Sequence, residues 1–590
     1  MVLPEPPFVL LDDARAEGAP ARLYARPVEI VAASTADAVG PALDRLGAAR
    51  AEGLHAAGWI AYEAAAGIAP EGRPQLPAPG TPLLWFGLFA DYRQIASAQV
   101  PSLLPDPAGA WAGQPEPAIA RDAYGAQFAR VAELIAAGDI YQANLTFRAS
   151  VRTAGSPAAL YALLRARAAA GYGALVATGD DWLLSFSPEL FFALEGSRLT
   201  ARPMKGTATR GSSPEADRAL AESLAADPKQ RAENLMIVDL MRNDMARVAR
   251  AGSVAVPQRF EVEHYPTVHQ MVSTVTAELA PGRDAIDALR ALFPCGSITG
   301  APKLRAMQVI SEVEHAPRGI YTGAIGRLDA DGGAMFNVAI RTLNLQQDGA
   351  AMGLGSGVVA DSDAEAEWRE CLAKGTFVTD GETDFDLIET MAFDPEDGMP
   401  LLERHLARLK ASARHFGFEF DRHSARNELQ AATFRLREPA RVRLVLAPSG
   451  AIAIGIAPMP QLPTRPVHVA LAARPVARDD FRLAHKTSRR GFWNAARAPG
   501  AFETLFTDDD GYLTEGSFTS IFVERDGRLV TPPLARGLLP GVLRAELIDS
   551  GRAVEGDLLP ADLAGGFLLG NALRGLVAAV TVAEPAKATV

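Results

Sequence analysis

Lysine is scarce in this chain and arginine is not. Of 590 residues only positions 205, 229, 303, 374, 410, 486 and 587 are lysine. A guanidinium stays protonated and neither attacks nor forms an imine, so a sequence that uses arginine wherever a cation suffices keeps lysine where an amine is chemically required. Two positions have the surroundings for that role. Lys205 lies in Ala201-Arg202-Pro203-Met204-Lys205-Gly206-Thr207-Ala208-Thr209, at the end of a strand-like run, between a rigid proline and a small glycine. Desolvation there lowers the pKa of an amine toward nucleophilic use, although the same run is compatible with a turn carrying a solvated lysine. Lys486 lies in Ala484-His485-Lys486-Thr487-Ser488-Arg489-Arg490.

Carboxylates accompany both lysines. Glu189, in Ser187-Pro188-Glu189, precedes a hairpin that leads to Lys205, a spacing that suits an acid and an amine on neighbouring strands facing one pocket. It equally suits a turn cap or an arginine partner. Glu233 lies on a helix predicted over 228–248, where Leu235, Met236, Asp239, Leu240 and Asn243 share a side. A second helix, 364–374, puts Glu367 and Glu370 on one face. Two helices that each offer a carboxylate suit magnesium, which fills its other sites with water and substrate oxygens; the alternative is solvated surface glutamates. The glycine-rich runs Gly296 to Lys303 and Gly353 to Val359 read as turns exposing N–H groups to a carboxylate, with Arg341 on the strand before the second. Further on, Gly537-Leu538-Leu539-Pro540-Gly541-Val542 opens a helix ending at Gly551, an anion site suited to a phosphate.

The length requires at least two cores. Apolar residues at 48% and charged residues at 22% are ordinary globular usage, and the net charge of −12 disfavours a nucleic-acid partner. Residues 1–13, broken by Pro4, Pro6 and Pro7, do not read as a signal peptide, and no 18-residue apolar run indicates a membrane span. Cys295 and Cys371 provide neither a disulfide framework nor a metal cluster, which points to the cytoplasm. Helices are predicted over 35–53, 123–137 (closed by Gly138) and 157–170, and strands over 140–147, 182–186 and 190–194. Residues 100–117, rich in Pro, Gly and Ala, read as a linking loop. The polar run Thr379 to Asp384 marks a boundary, followed by a strand from Phe385, a helix carrying His405, Arg408, Leu409 and Ser412, and strands at 441–446 and 451–456.

Gln142 with its Asn-Leu, Ser187-Pro188-Glu189, Pro203 to Thr207, Arg231-Ala232-Glu233-Asn234-Leu235-Met236, Tyr265-Pro266-Thr267-Val268, Gly296 to Lys303, Ile340-Arg341-Thr342 and Gly355-Ser356-Gly357 occur in the order of the chorismate-utilising enzymes. Residues 1–380 resemble that family, and most closely its aminodeoxychorismate synthase branch, which has lysine where anthranilate synthases usually carry alanine. The resemblance implies an α+β layered fold of antiparallel sheets enclosed by helices. It implies that Lys205 attacks C2 of chorismate while Glu189 protonates the departing C4 hydroxyl, after which ammonia enters at C4 and expels the lysine. Glu233 and Glu370 would hold Mg2+ on the ring carboxylate; Arg341, Gly355 and Gly357 would hold the enolpyruvyl carboxylate; Gln142, Thr299, Ala301 and Lys374 complete the substrate-binding set. Gln142 stands where isochorismate and salicylate synthases carry the lysine that activates water. Gln230 and Gln270 depart from frequent acidic and histidine positions, and Cys371 from a common threonine.

Residues 384–590 resemble fold type IV pyridoxal-phosphate enzymes, which include branched-chain and D-amino-acid aminotransferases and aminodeoxychorismate lyase. On that resemblance Lys486 forms the imine with pyridoxal 5'-phosphate and moves protons, and Glu515 pairs with the pyridine nitrogen. Arg408, Gly541, Val542 and Asn571 bind the phosphate. Ala447-Pro448-Ser449-Gly450 lacks the arginine that lyase relatives often carry after this strand, leaving the holder of the substrate carboxylate open. The two resemblances together imply a bifunctional enzyme making 4-aminobenzoate from chorismate, because the first domain's product would be the lyase's substrate. An anthranilate-forming domain joined to an amino-acid aminotransferase is the alternative; a catalytically silent scaffold domain is disfavoured by the intact Lys205, Glu233, Lys486 and Glu515. No Gly-X-Cys-X-Gly glutaminase segment is present, so ammonia is expected from a separate glutaminase subunit. A homodimer through the second domain is compatible with this scheme.

Overall fold

The computed structural model describes residues 3–68, 80–265, 268–346 and 349–581. Pro266 and Thr267 of the Tyr265 to Val268 motif lie outside the described residues, as does Lys587. The chain packs into two compact units: Met1–Pro107, Gln114–Val151 and Leu160–Gly381 form one, and Ala108–Gly113, Arg152–Ala159 and Glu382–Val590 the other. The sequence reading places 108–113 and 152–159 in the first domain and treats the former as part of a loop. In the structure Trp111–Ala112 and Thr153–Ala154 pair as antiparallel strands. Trp111 is buried with Phe385 and Phe416 in the second unit's core, and its indole carries the apolar area that fixes the segment there.

The first unit contains two ten-stranded sheets, antiparallel throughout the described pairings. In one, Gln142–Val151 lies between Gly349–Val358 and the short strand Gly300–Ala301. In the other, Val268–Glu278 pairs along one side with both Arg198–Arg202 and Met204–Thr209. The register Ala201↔Val275 and Met204↔Val272 makes these two segments one line interrupted at Pro203. A register shift between Met204 and Thr207 marks a bulge, and Gly206 at φ +104° supplies the backbone conformation it needs. Lys205 is therefore inside a strand and re-aimed by a bulge, rather than at a strand end.

Helices cover these sheets. Ala36–Ala51 buries Val39, Leu43 and Leu46, each side chain contributing about 1.5–3 kcal/mol of transfer free energy. Pro228–Ala246 starts with Pro228 at its first position and the Asp227 carboxylate accepting from the Lys229 and Gln230 N–H groups. Its buried face is Asn234, Ile237, Val238, Met241 and Met245. The face expected from Leu235 is turned outward, with Leu235 42% exposed. The 3.6-residue stripe through Ile237, Val238, Met241 and Met245 is the more continuous one and wins the core.

The second unit holds a three-stranded sheet, Leu387–Phe393, Ala440–Leu446 and Ile452–Pro458, and an eight-stranded sheet of mixed direction. Helix Leu402–Phe416 packs Leu406, Leu409, Ala413 and Phe416 on the first of these. Helix Val542–Asp549 follows Gly541, and Gly551 at φ +72° closes it. Among the described residues no helix is long and apolar enough to cross a membrane.

Candidate active sites

In the first unit, Leu190 pairs with Arg202, so Glu189, one residue earlier, arrives beside Pro203 and Met204. Its carboxyl is buried and Oε1 accepts from the Ser297 hydroxyl at 2.7 Å. Burial pushes the Glu189 pKa up to about 7, against the opposing effects of Ser297, the Met204 N–H and Lys205. The Lys205 ammonium lies 3.3 Å from Glu233 Oε2. On its other side is Gly357: a Cβ there would sit 2.7 Å from Lys205 Nζ and 3.0 Å from Gln142 Nε2. Gln142 is fully buried, and among the described residues neither its amide oxygen nor its nitrogen has a hydrogen-bond partner. A buried primary amide left unsatisfied costs about 1–3 kcal/mol per group, so a ligand that meets it recovers that penalty.

Gly353 to Val358 is a strand rather than the turn read from sequence. Glycine is required there by close approach: a Cβ on Gly353 would enter the Tyr321 ring at 2.0 Å, and one on Gly355 would meet the Thr146 methyl at 2.7 Å. Lys374 donates to the Gly355 carbonyl at 2.9 Å and pairs with Glu370 at 2.8 Å. Arg341 sits in the bend before Thr342–Gln346, not on a strand, at φ +49°, a conformation strained for a non-glycine residue. Burial lowers its pKa from the usual guanidinium range, and among the described residues no carboxylate is paired with it. Thr299 and Ala301 are engaged through the backbone: their carbonyls accept from Asn144 at 2.9 Å and Tyr141 at 2.7 Å, and the Thr299 hydroxyl donates to Cys295 at 2.8 Å.

Glu233 and Glu370 each face an ammonium. Burial raises Glu370, but Lys374, Lys205 and Lys229 outweigh it and hold the group below its ordinary range, so Lys205 is within electrostatic reach of both carboxylates. No cluster of three or more His, Cys, Asp or Glu suited to a metal occurs among the described residues. Glu233 and Glu370 are carboxylates of the kind magnesium takes together with water and substrate oxygens, and each is paired with a lysine, Lys205 and Lys374.

Three residues that the motifs contain, or that depart from them, take a positioning role the sequence does not reveal. Ser297 holds Glu189. Asn234 accepts from Ser273 at 2.6 Å and donates to the Lys205 carbonyl at 3.3 Å. Gln270 donates to the Gly206 carbonyl at 2.9 Å and accepts from Thr207 at 3.0 Å, so it clamps the bulge that aims Lys205. Both cysteines are buried, and burial pushes the Cys295 thiol up to about 12. Neither is a poised nucleophile.

The second unit encloses a cavity of about 630 Å3 lined by Lys486, Glu515, Arg408, Gly541, Val542 and Asn571 among others. Burial, with Arg408, Arg490 and Arg443 adding to it against Glu389, lowers the Lys486 pKa to about 7. Burial raises Glu515 to about 8, despite the Leu539 N–H that donates to it at 3.1 Å. Arg408 forks onto Glu389 at 2.8 and 2.7 Å and donates to the Pro540 carbonyl at 2.9 Å, which leaves one N–H on each terminal nitrogen. Burial alone would raise Glu389, but Arg408 and a His405 Nδ1 contact of 2.6 Å hold it well below the usual carboxylate range. Glu389 carries no motif of its own and was not among the expected residues. Gly541 leaves a cradle: a Cβ would meet Ser520 Oγ at 2.7 Å. An amine of depressed pKa, a buried acid and a helix start beside an arginine fit pyridoxal phosphate. The Asn571 side chain accepts from the Leu573 and Arg574 N–H groups and donates to the Phe518 carbonyl, which leaves one amide N–H beside the cavity.

Residues 8–380 match the family model described as chorismate binding enzyme, and residues 386–582 that of amino-transferase class IV. Aminodeoxychorismate synthase component 1 of Salmonella typhimurium is 43% identical over 286 residues, which are 48% of this chain and 62% of that protein. An anthranilate synthase component 1 of Haloarcula marismortui is 40% identical, over 48% of this chain and 54% of its own length. The chain thus spans less than two thirds of the curated relatives it matches. The crystal structure of anthranilate synthase component I from Streptococcus pneumoniae superposes with a TM-score of 0.52 at 28% identity, covering 64% of this chain and 93% of that one. With the first model covering well over half of its residues, the chain belongs to the chorismate binding enzyme family and carries a class IV amino-transferase domain behind it.

Proposed function

We propose that this chain converts chorismate and ammonia to 4-amino-4-deoxychorismate in its first unit, and eliminates pyruvate from that product in its second to give 4-aminobenzoate, a folate precursor. The observation that carries the reading is the convergence of the Lys205 amine, the Glu233 carboxylate and the unpartnered Gln142 amide at Gly357. An amine at this place is a built-in nucleophile. Lys205 gives up one ammonium proton to solvent, and the free amine forms a bond to C2 as the ring double bond shifts and the C4 hydroxyl leaves as water with a proton from Glu189, which a pKa of about 7 keeps about half in its acid form near neutrality. Ammonia then bonds to C4, the double bond shifts back, and Lys205 departs. Water is one product of the sequence and the amine is regenerated. The Arg341 guanidinium binds the enolpyruvyl carboxylate, Lys374 orients the Gly355 carbonyl, and the Gln142 amide hydrogen-bonds the substrate. Glu233 and Glu370 would hold magnesium, which when bound supplies charge neutralisation on the ring carboxylate.

In the second unit Lys486, at a pKa of about 7, takes the proton from C4 of the amine substrate, and Glu515 holds a proton at the pyridine nitrogen. Pyridoxal phosphate, when bound, supplies the electron sink for that proton loss. Pyruvate leaves from C3 and the ring becomes aromatic, so no keto acid acceptor is consumed. Ammonia comes from a separate glutaminase subunit, a reading supported by the two buried thiols of this chain and by the component 1 relatives. A cytoplasmic location goes with it.

The test is product analysis. Chorismate with ammonium salt should yield 4-aminobenzoate and pyruvate in equal amounts without added keto acid, and glutamine should replace ammonium only after a glutaminase subunit is added. Accumulation of 4-amino-4-deoxychorismate, alongside amino exchange between 2-oxoglutarate and an amino acid, would make the second unit an aminotransferase.

A further inference from the structure

Within the first unit a cleft of about 570 Å3 holds none of the residues assigned to the first step. Its walls are mostly apolar. Ala123 and Ala126 come from helix Arg121–Ala136 and Val313 from the end of helix Lys303–Val313, and Phe147 and Tyr321 add two rings. The Tyr321 ring rests on Gly353, whose missing Cβ makes room for it. The carboxylates and guanidiniums of the wall are paired, with one exception. Glu314 and Arg318 form a buried pair at 2.7 Å, Glu312 binds Arg305 at 3.1 Å, and Arg130 binds Glu133 at 3.0 Å. Arg148, half-buried on Gln142–Val151, has no carboxylate partner among the described residues. Gln127 donates through Nε2 to the Val313 carbonyl at 3.1 Å, while its buried Oε1 has no partner among the described residues. An unpaired cation and an orphaned acceptor on an apolar wall match a molecule with an anionic end, a flat apolar body and an N–H donor. Two contacts tie the cleft to the chemistry. Phe147 stacks on Trp368 at 4.9 Å, and Trp368 belongs to helix Ala364–Ala373, which carries Glu370. Arg318 donates to the Asn144 carbonyl at 2.6 Å and the Ile298 carbonyl at 3.2 Å, close along the chain to Gln142 and to Ser297, which holds Glu189.

We propose that this cleft binds a small aromatic monocarboxylate, its carboxylate on Arg148 and its ring against the apolar walls, and that occupancy slows the first step. A ligand that displaces Phe147 or the Glu314–Arg318 pair moves elements packed without slack against Glu370, Gln142 and Ser297. The proposal rests on the reading above for the identity of the occupant: 4-aminobenzoate, the end product on that reading, has a carboxylate at one end and an N–H donor for Gln127 at the other. The product of the second unit thus restrains the first.

Initial rates of chorismate consumption by the full chain with ammonium salt, measured against added 4-aminobenzoate, test this. The acid should lower kcat and leave KM for chorismate unchanged, because it does not enter the chorismate site. Replacing it with the neutral 4-aminobenzamide, or Arg148 with Gln (Arg148→Gln), should in each case raise the half-inhibiting concentration about tenfold, the loss of one charge-assisted contact. A raised KM with unchanged kcat, an Arg148→Gln chain inhibited like the unaltered one, or no inhibition at all overturns the proposal. Chorismate consumption is read whichever amine forms, so anthranilate as the product would defeat the proposed first step and still let the inhibition pattern decide this site. For a chain that consumes no chorismate, equilibrium dialysis against labelled 4-aminobenzoate gives the answer. Arg148→Gln should then lose one bound equivalent at matched concentration, and an equal count in the two chains overturns the assignment.

Discussion

The two units use the same pair of groups, an amine and a buried carboxyl, in opposite surroundings. Glu189 and Glu515 are both raised by burial, to about 7 and about 8. Their lysines differ. Lys205 is paired with a carboxylate, Glu233, whereas Lys486 is pushed down to about 7 by burial first and then by Arg408, Arg490 and Arg443 acting against Glu389. An amine in an ion pair is held in place and aimed; a buried amine with cations beside it gives up its proton more readily. The first arrangement suits a nucleophile that must wait for substrate to displace its partner, and the second an amine that must join a carbonyl and later shuttle protons. At Lys486 desolvation is the main effect and the neighbouring arginines add to it, while at Lys205 the neighbouring carboxylate supplies an ion pair.

The largest effects should come from exchanging the roles. Lys205→Ala should abolish 4-amino-4-deoxychorismate formation while pyruvate release from supplied 4-amino-4-deoxychorismate continues; Lys486→Ala should do the reverse and lose the cofactor's bound absorbance. If either lysine variant stops both steps, or Lys205→Ala still forms the 4-amino product at full rate, the division of labour is wrong. Glu189→Gln sharpens the carboxyl half of the comparison and should cost about 10²–10⁴ in kcat of the first step. At fixed free ammonia the unaltered enzyme's rate should be level below pH 7 and fall above it, because the acid form is lost as pH rises through about 7; the variant should lack that limb. Glu389→Gln acts at the root of the second site. Removing the charge that Arg408 and His405 share should destabilise the second unit by about 3 kcal/mol in urea unfolding. Since the native pKa of Glu389 is depressed, the difference should be complete above about pH 4.3 and shrink as pH falls below it. Gln270→Ala, which loosens the bulge without touching substrate, should lower kcat of the first step by up to about thirtyfold, since two hydrogen bonds of about 1 kcal/mol each are lost. An unchanged kcat would mean that the strand alone aims Lys205.

Much of each site was legible because its chemistry is written in short runs: Pro203 to Thr207 and Ala484 to Arg490 each present an amine in a constrained segment. What was illegible depends on chain-distant partners. Gly353, Gly355 and Gly357 read as a turn because spacing does not reveal that Tyr321, Thr146 and Lys205 press on that strand. Glu389 looks like any strand glutamate until helix Leu402–Phe416 brings Arg408 and His405 onto it. Asn571 sits in the cavity wall, and local N–H groups claim its side-chain oxygen, a competition characteristic of asparagine at turns that spacing alone does not reveal. On Pro228–Ala246 two apolar stripes compete, and only packing decides between them.

The strand pair Trp111–Ala112 and Thr153–Ala154 bears on whether this protein can be taken apart. A protease that nicked the chain near Gly381 would not release two free enzymes, because the downstream fragment would still be completed by strands from the upstream one, as in a split protein that complements itself. A gene cut at the same codon would fare worse. Expressed alone, residues 382–590 would lack the indole that packs on Phe385 and Phe416, leaving an aromatic hollow open to water, and co-expression of the upstream fragment would be the way to restore it.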